Sequence, residues 1–265
     1  MSGAAPRGHP RALLAALGTL AGFASASLGI GGGNVLVPSL AGFLRVPLKR
    51  AIGTSLLVVL PVSAVAVAVE AWGHPENLRW LDALVLAAGS LPGAVAGAVL
   101  VARVPDRPLR LLFAAFLAFA AARMLGLLEF DAARGLPPPL AVPLGIAVGF
   151  LAGLTASLFG IGGGVVVVPA LVAGLGVPFH AARATSLAVI VPTTAAAAWR
   201  HCRLGTPDPS LYLPMIPSAL LGSAAGVFAV NALPAREMRI AFGIFLLLAA
   251  ARLLARRKGA EAVRV

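Results

Sequence analysis

Charge is what this 265-residue chain has least of. Only 11% of its residues are Asp, Glu, Lys or Arg and 60% are hydrophobic, whereas an average soluble domain carries about a quarter charged residues. That balance excludes a water-soluble globule and implies an integral membrane protein. Cysteine is nearly missing too. Cys202 is the single one, so there is no intrachain disulfide framework and no cysteine-cluster metal site. Acidic residues are scarce and badly placed for ion chemistry: Glu70, Glu76, Asp82, Asp106, Glu129, Asp131, Asp208, Glu237 and Glu261 fall in loops, at the ends of apolar runs or in the tail. No carboxylate is expected in mid-membrane, which counts against pumps built on intramembrane ionisable relays and favours an anionic or neutral substrate. His180, His201 and Cys202 lie in or beside loops without partners at ligand spacing and read as surface residues, so no metal and no other cofactor is expected. No cluster of His, Asp, Glu or Cys marks a membrane-surface enzyme site.

What is present is a series of apolar runs. Those near 12–28, 51–71, 80–102, 109–128, 140–159, 184–199, 211–230 and 238–254 approach the ~20 residues that cross ~30 Å of hydrocarbon. Two shorter runs, 34–44 and 165–176, rise only ~17 Å at ~1.5 Å per residue and read as half-helices or re-entrant segments. The net charge of +12 does not point to nucleic acid, because the basic residues sit between apolar runs and form no stripe with interleaved aromatics. They describe topology instead. With Arg7 and Arg11 in the cytoplasm and every segment reversing direction, 15 Lys and Arg residues fall inside, the tail included. Six fall outside: Arg79, Arg123, Arg134, Arg183, Arg236 and Arg239. This bias places both termini in the cytoplasm. A signal peptide over residues 1–27 is rejected, since the same segment recurs internally at 141–158.

The run GIGGG occurs at 29–33 and again at 160–164, 131 positions later. At the same offset Gly18 pairs with Gly149, Gly22 with Gly153, Pro47 with Pro178, Thr54 with Thr185, Ser55 with Ser186 and Pro61 with Pro192. At an offset of 129, Gly93 pairs with Gly222, Gly97 with Gly226, Arg110 with Arg239 and Arg123 with Arg252. The chain therefore reads as an all-α, polytopic helical membrane protein made of two repeats, 1–128 and 141–254. A linker at 129–140, containing EFDAARGLPPP, and a basic cytoplasmic tail at 255–265 complete it. Each repeat holds about four full spans and one short or re-entrant half-helix. Five reversing segments per repeat is an odd number, so the second repeat is expected inverted relative to the first.

Contiguous glycines at membrane depth let backbone approach closely and adopt conformations closed to other residues. Non-helical backbone survives there only where protein or a wet cavity satisfies it. Each knot precedes a short helix, whose first amides and dipole suit an anion. The candidate binding residues are Gly31, Gly32, Gly33 and Asn34 with Ser27, Thr54 and Ser55, and Gly162, Gly163 and Gly164 with Ser157, Thr185 and Ser186. Hydroxyls donate hydrogen bonds without charge, which suits an anion that must be held and then released. The competing reading is structural: Ser and Thr bond a carbonyl one turn back or join helices. For the glycines spaced by four, close helix packing is the better reading. Pro61 and Pro192 are expected to kink their helices, and Arg123 and Arg252 to snorkel to the interface.

The copies GFASASLGIGGGNVLVPSL at 22–40 and GLTASLFGIGGGVVVVPAL at 153–171, each followed by A-x-x-T-S-L at 51–56 and 182–187, resemble the TauE/SafE family of sulfite exporters and related transporters. The resemblance covers both repeats. It implies a bacterial-type inner-membrane carrier for sulfite, sulfoacetate or other small organosulfur or organic anions, working by alternating access at the repeat interface. Its partners would be that small anion and the lipid bilayer, with no nucleic acid. An anion channel, or a membrane scaffold subunit that does not transport, is the alternative. The first copy has Asn34 where the second has Val165, so the half-sites are not expected to be chemically equivalent.

Overall fold

The computed structural model describes residues 10–100, 106–127, 138–160 and 162–261. It is helical throughout, with no strand among the described residues. The linker expected at 129–140 lies outside the described residues up to position 137, as do Arg7, Arg103, Arg134 and Arg264. The elements are α1 (Arg11–Leu28), α2 (Gly33–Pro38), α3 (Leu48–Gly73), α4 (Trp80–Leu100), α5 (Asp106–Met124), α6 (Pro138–Phe159), α7 (Gly164–Pro169), α8 (Phe179–Arg203), α9 (Pro209–Asn231) and α10 (Ala235–Glu261).

Local chemistry explains the punctuation. α1 ends where Gly29 turns left-handed (φ 69°) and returns its amide to Ser25 O at 2.8 Å, the glycine C-cap arrangement. α2 and α7 start after left-handed Gly32 and Gly163. Pro38 and Pro169 then lack the N–H that the α register needs, and the backbone continues as π-helix over Ser39–Phe43 and Ala170–Gly174. The short segments are thus 33–43 and 164–174, each a little over half the length of a membrane-spanning helix. α3 and α8 both follow an extended proline, Pro47 and Pro178, as X-Pro stereochemistry favours.

Of the eight long apolar runs, six become helices long and apolar enough to cross a membrane: α1, α3, α4, α6, α8 and α9. The other two, α5 and α10, are helices whose uncharged stretches span only 111–122 and 240–251, between Arg110 and Arg123 and between Arg239 and Arg252. Six such helices are therefore counted among the described residues, with α5 and α10 as helices at the positions of the other two runs. α10 also continues through Glu261, so much of the segment read as a tail is helical.

Packing is dominated by α1 against α9 and by α4 against α6. Lipid is as apolar as leucine, so helices associate through close contact over small residues. A Cβ on Gly22 would lie 2.0 Å from Ala219 O, and one on Gly222 2.3 Å from Thr19 O. Across the other pair, Gly153 faces Ser90 O at 2.0 Å and Gly93 faces Phe150 O at 2.2 Å. Leu84, Leu213, Leu221 and Phe228 remain exposed, which suits a hydrocarbon surround. Gly22→Ala or Gly153→Ala is expected to cost about 1–3 kcal/mol by overpacking. Either should lower the melting temperature in detergent by several degrees, while Gly42→Ala, with nothing within 4 Å, leaves it unchanged. Equal melting of all three would contradict this packing.

Candidate functional site

The two glycine knots meet in the middle of the molecule. A Cβ on Gly164 would sit 2.0 Å from Gly29 O, and one on Gly162 would sit 3.3 Å from Gly31 Cα. Gly29, Gly31, Gly32, Gly160, Gly162 and Gly163 all have φ between 68° and 84°, the region that L side chains avoid. Corresponding glycines have corresponding neighbours: Gly32 abuts Ala21 O and Gly163 abuts Ala152 O, each at 2.7 Å from an added Cβ. Ile161 lies outside the described residues. The Gly33 amide already donates to Gly31 O at 2.9 Å, and Val35 and Leu36 amides bond Gly32 O. Asn34 is half-buried at the start of α2. Beside Gly32 stands Ser25, fully buried, whose Oγ has no hydrogen-bond partner.

The repeated Thr-Ser pairs brace the knots crosswise. Ser186 Oγ donates to Gly29 O at 2.8 Å, and Ser55 Oγ shares its one proton between Ile52 O at 2.8 Å and Gly160 O at 3.2 Å. Each serine therefore holds the last helical turn before the knot in the other half of the chain. The threonines do a parallel job on loops. Thr54 Oγ1 accepts from the Asp208 amide at 3.0 Å and Thr185 Oγ1 from the Arg79 amide at 3.3 Å. Ser27 and Ser157 instead join helices, donating to Gly226 O at 3.3 Å and Ala94 O at 2.6 Å. The structure thus gathers Gly31, Gly32, Gly162, Gly164, Ser55 and Ser186 around one junction, with Ser27 and Ser157 on the flanking helix contacts.

Sequence reasoning missed a buried pair of charged residues, Arg183 and Glu70, whose arginine packs against Gly29 of the first knot. Arg183, assigned above to an exterior loop, lies inside α8, because that helix starts at Phe179 and extends the apolar run toward its N-terminus. Glu70, near the end of α3, is also fully buried, and its Oε2 accepts from Arg183 Nη2 at 2.6 Å. Asn77 donates to Glu70 Oε1 at 2.7 Å, and Asn231 Nδ2 lies 3.2 and 3.3 Å from its two oxygens. Arg183 Nη1 donates to Ala26 O at 2.9 Å. Glu70 lies near the end of α3, where the sequence places it, but it is buried there, paired and hydrogen-bonded as burial demands. A mutual signal lay in the sequence, one acid and one base flanking apolar runs, but their separation of 113 positions hid it.

Other expectations resolve locally. His201, read as a surface residue, is buried in α8 with Nδ1 2.9 Å from Thr206 Oγ1, whereas Cys202 is exposed. Arg123 donates to the Ala173 carbonyl at the end of the second short segment; the Arg252 side chain lies outside the described residues.

Comparison with known proteins agrees with this architecture. The profile of the family described as "Sulfite exporter TauE/SafE" matches residues 2–124 and 144–264. The chain is 28% identical over 242 residues to "Probable membrane transporter protein YunE" of Bacillus subtilis, covering 83% of this chain and 88% of that protein. It is 30% identical over 191 residues to "Probable membrane transporter protein MJ0441" of Methanocaldococcus jannaschii, covering 69% and 68%. No solved structure matches. The doubled glycine knots, the six apolar helices and these similarities place the chain in the TauE/SafE family of membrane transporters.

Proposed function

We propose that the protein is a secondary carrier of small anions, of the sulfite, sulfoacetate or simple organic-anion class, working as an exporter in a bacterial inner membrane. The observation that carries this reading is the contact between the two knots. Left-handed glycine backbone from both halves of the chain converges there, next to the starts of two short helices and a buried, unpartnered Ser25 hydroxyl. An anion held at that junction would take backbone amides from the knots and hydroxyl donors from Ser55 and Ser186, with Thr54 and Thr185 holding the adjoining loops and Asn34 adding an amide to the first half-site only. The two halves would be inverted repeats, and rocking one against the other would expose the junction to each side in turn. The crosswise Ser55 and Ser186 bonds are the ties that such a motion would loosen and remake.

A flux panel in reconstituted vesicles with sulfite, sulfate, thiosulfate, sulfoacetate, taurine and acetate tests the reading. Wild type should move one class of anion saturably. Gly32→Leu and Gly163→Leu should each reduce that flux at least tenfold while the protein still elutes as a folded species. Normal flux in both variants contradicts the site.

The topology has its own reporter, because Cys202 is exposed and unique. A membrane-impermeant maleimide should label Cys202 in inside-out vesicles only. In a Cys202→Ser background, cysteine at the exposed Trp72 position should label from the opposite side. Labelling of both from one face would overturn the proposed orientation of α3 and α8.

A further inference from the structure

Arg183 and Glu70 form the only ion pair among the described residues in which both side chains are fully buried. Glu70 is saturated, its oxygens taken by Asn77, Asn231 and Arg183. Arg183 is not. Its Nη1 serves Ala26 O, its Nη2 serves Glu70 and lies 3.4 Å from Asn231 Oδ1, and its Nε has no partner. A buried guanidinium N–H left unmade is costly, and one on a charged group more so. The vacancy is well placed. A Cβ on Gly29 would lie 2.9 Å from Arg183 Cγ, and Nε is two bonds further along that side chain. Ser186, one turn on from Arg183, bonds Gly29 O.

The pair is also peculiar to one knot. The residue 131 positions before Arg183 is Ile52, which packs against Gly160 as Arg183 packs against Gly29. The residue matching Glu70 is His201. The second knot keeps the same backbone and the same serine brace without either charge, so the shared architecture does not need them.

We propose that Arg183 is the cationic ligand of the transported anion, presenting its unpaired Nε–H at the first knot while Glu70 and the two asparagines hold the guanidinium in place. This rests on the anion-carrier reading above and adds a substrate class to it. Guanidinium N–H groups match the oxygens of carboxylates and of sulfur oxyanions. Because Glu70 already neutralises the arginine, a monoanion suits the site better than a dianion, whose repulsion from the carboxylate is doubled. Glu70 acts as a positioning residue that also sets this charge preference.

Three variants of the full-length protein, reconstituted and assayed with acetate, sulfite, sulfate, thiosulfate and sulfoacetate, decide the matter. The neutral double variant Arg183→Gln with Glu70→Gln keeps hydrogen-bonding groups at both positions and removes both charges. It should remain folded and bind the wild-type substrate anion at least tenfold more weakly, read from anion-dependent thermal shift and from flux. Arg183→Lys, which retains the charge pair but replaces the planar fork with a single ammonium and has no N–H at the Nε position, should weaken binding similarly. Glu70→Gln should tighten binding, more for sulfate than for acetate, a change of selectivity that a merely structural pair would not produce. Unchanged affinity in a folded double variant or in Arg183→Lys overturns the proposal, and so does failure of both to fold. If Gly32→Leu abolishes flux while these variants preserve it, the carrier reading stands and the role of Arg183 falls. A wild type indifferent to every anion overturns both.

Discussion

Hydrocarbon offers no hydrogen bonds, and that constraint governs the centre of this protein. A helix broken in the membrane frees carbonyls and amides that only other protein groups can satisfy. Here both breaks are placed against each other. Gly29 O is taken by Ser186 and Gly160 O by Ser55, so each half of the chain repairs the break in the other. The approach that makes this possible needs glycine: at Gly164 a Cβ would fall on Gly29 O itself. The same requirement repeats on the flanks, where glycines of α1 face α9 and those of α6 face α4. Small residues thus settle both where the helices break and how closely they pack, and a junction of bare backbone at the centre is the result.

Charge is the second constraint, and among the described residues it is met once by a fully buried pair. A buried arginine and carboxylate survive only when paired and further hydrogen-bonded, and Glu70 has its full complement from Arg183, Asn77 and Asn231. The network ties α3, α8 and α9 to the end of α1 through Ala26 O. Its counterpart at the other knot is a neutral contact of Ile52, with His201 and Thr206 paired nearby. The two glycine knots therefore sit in different electrostatic surroundings, in keeping with the difference already visible between Asn34 and Val165.

Much of this was legible in the sequence, for a physical reason. Glycine and proline act on local backbone, so their spacing predicts breaks directly: the short segments at 33–43 and 164–174 fall within two residues of the runs at 34–44 and 165–176. The Thr-Ser pairs were visible as repeated polar positions, but the carbonyls they serve belong to the other half of the chain and depend on how helices sit together. The Glu70–Arg183 pair was illegible because hydropathy weighs each residue by itself, and two opposite charges 113 positions apart look like two loop residues. At α5 and α10 hydropathy and charge pull apart, since arginines bound their uncharged stretches at 111–122 and 240–251.

The central claim is that two half-sites make one binding site. Isothermal titration of the purified protein with the anion that it transports tests this most directly. The account predicts one anion bound per chain, with Gly32→Leu and Gly163→Leu each removing all of the binding. Two anions per chain, or half of the binding left in each variant, would contradict it and make the knots independent sites.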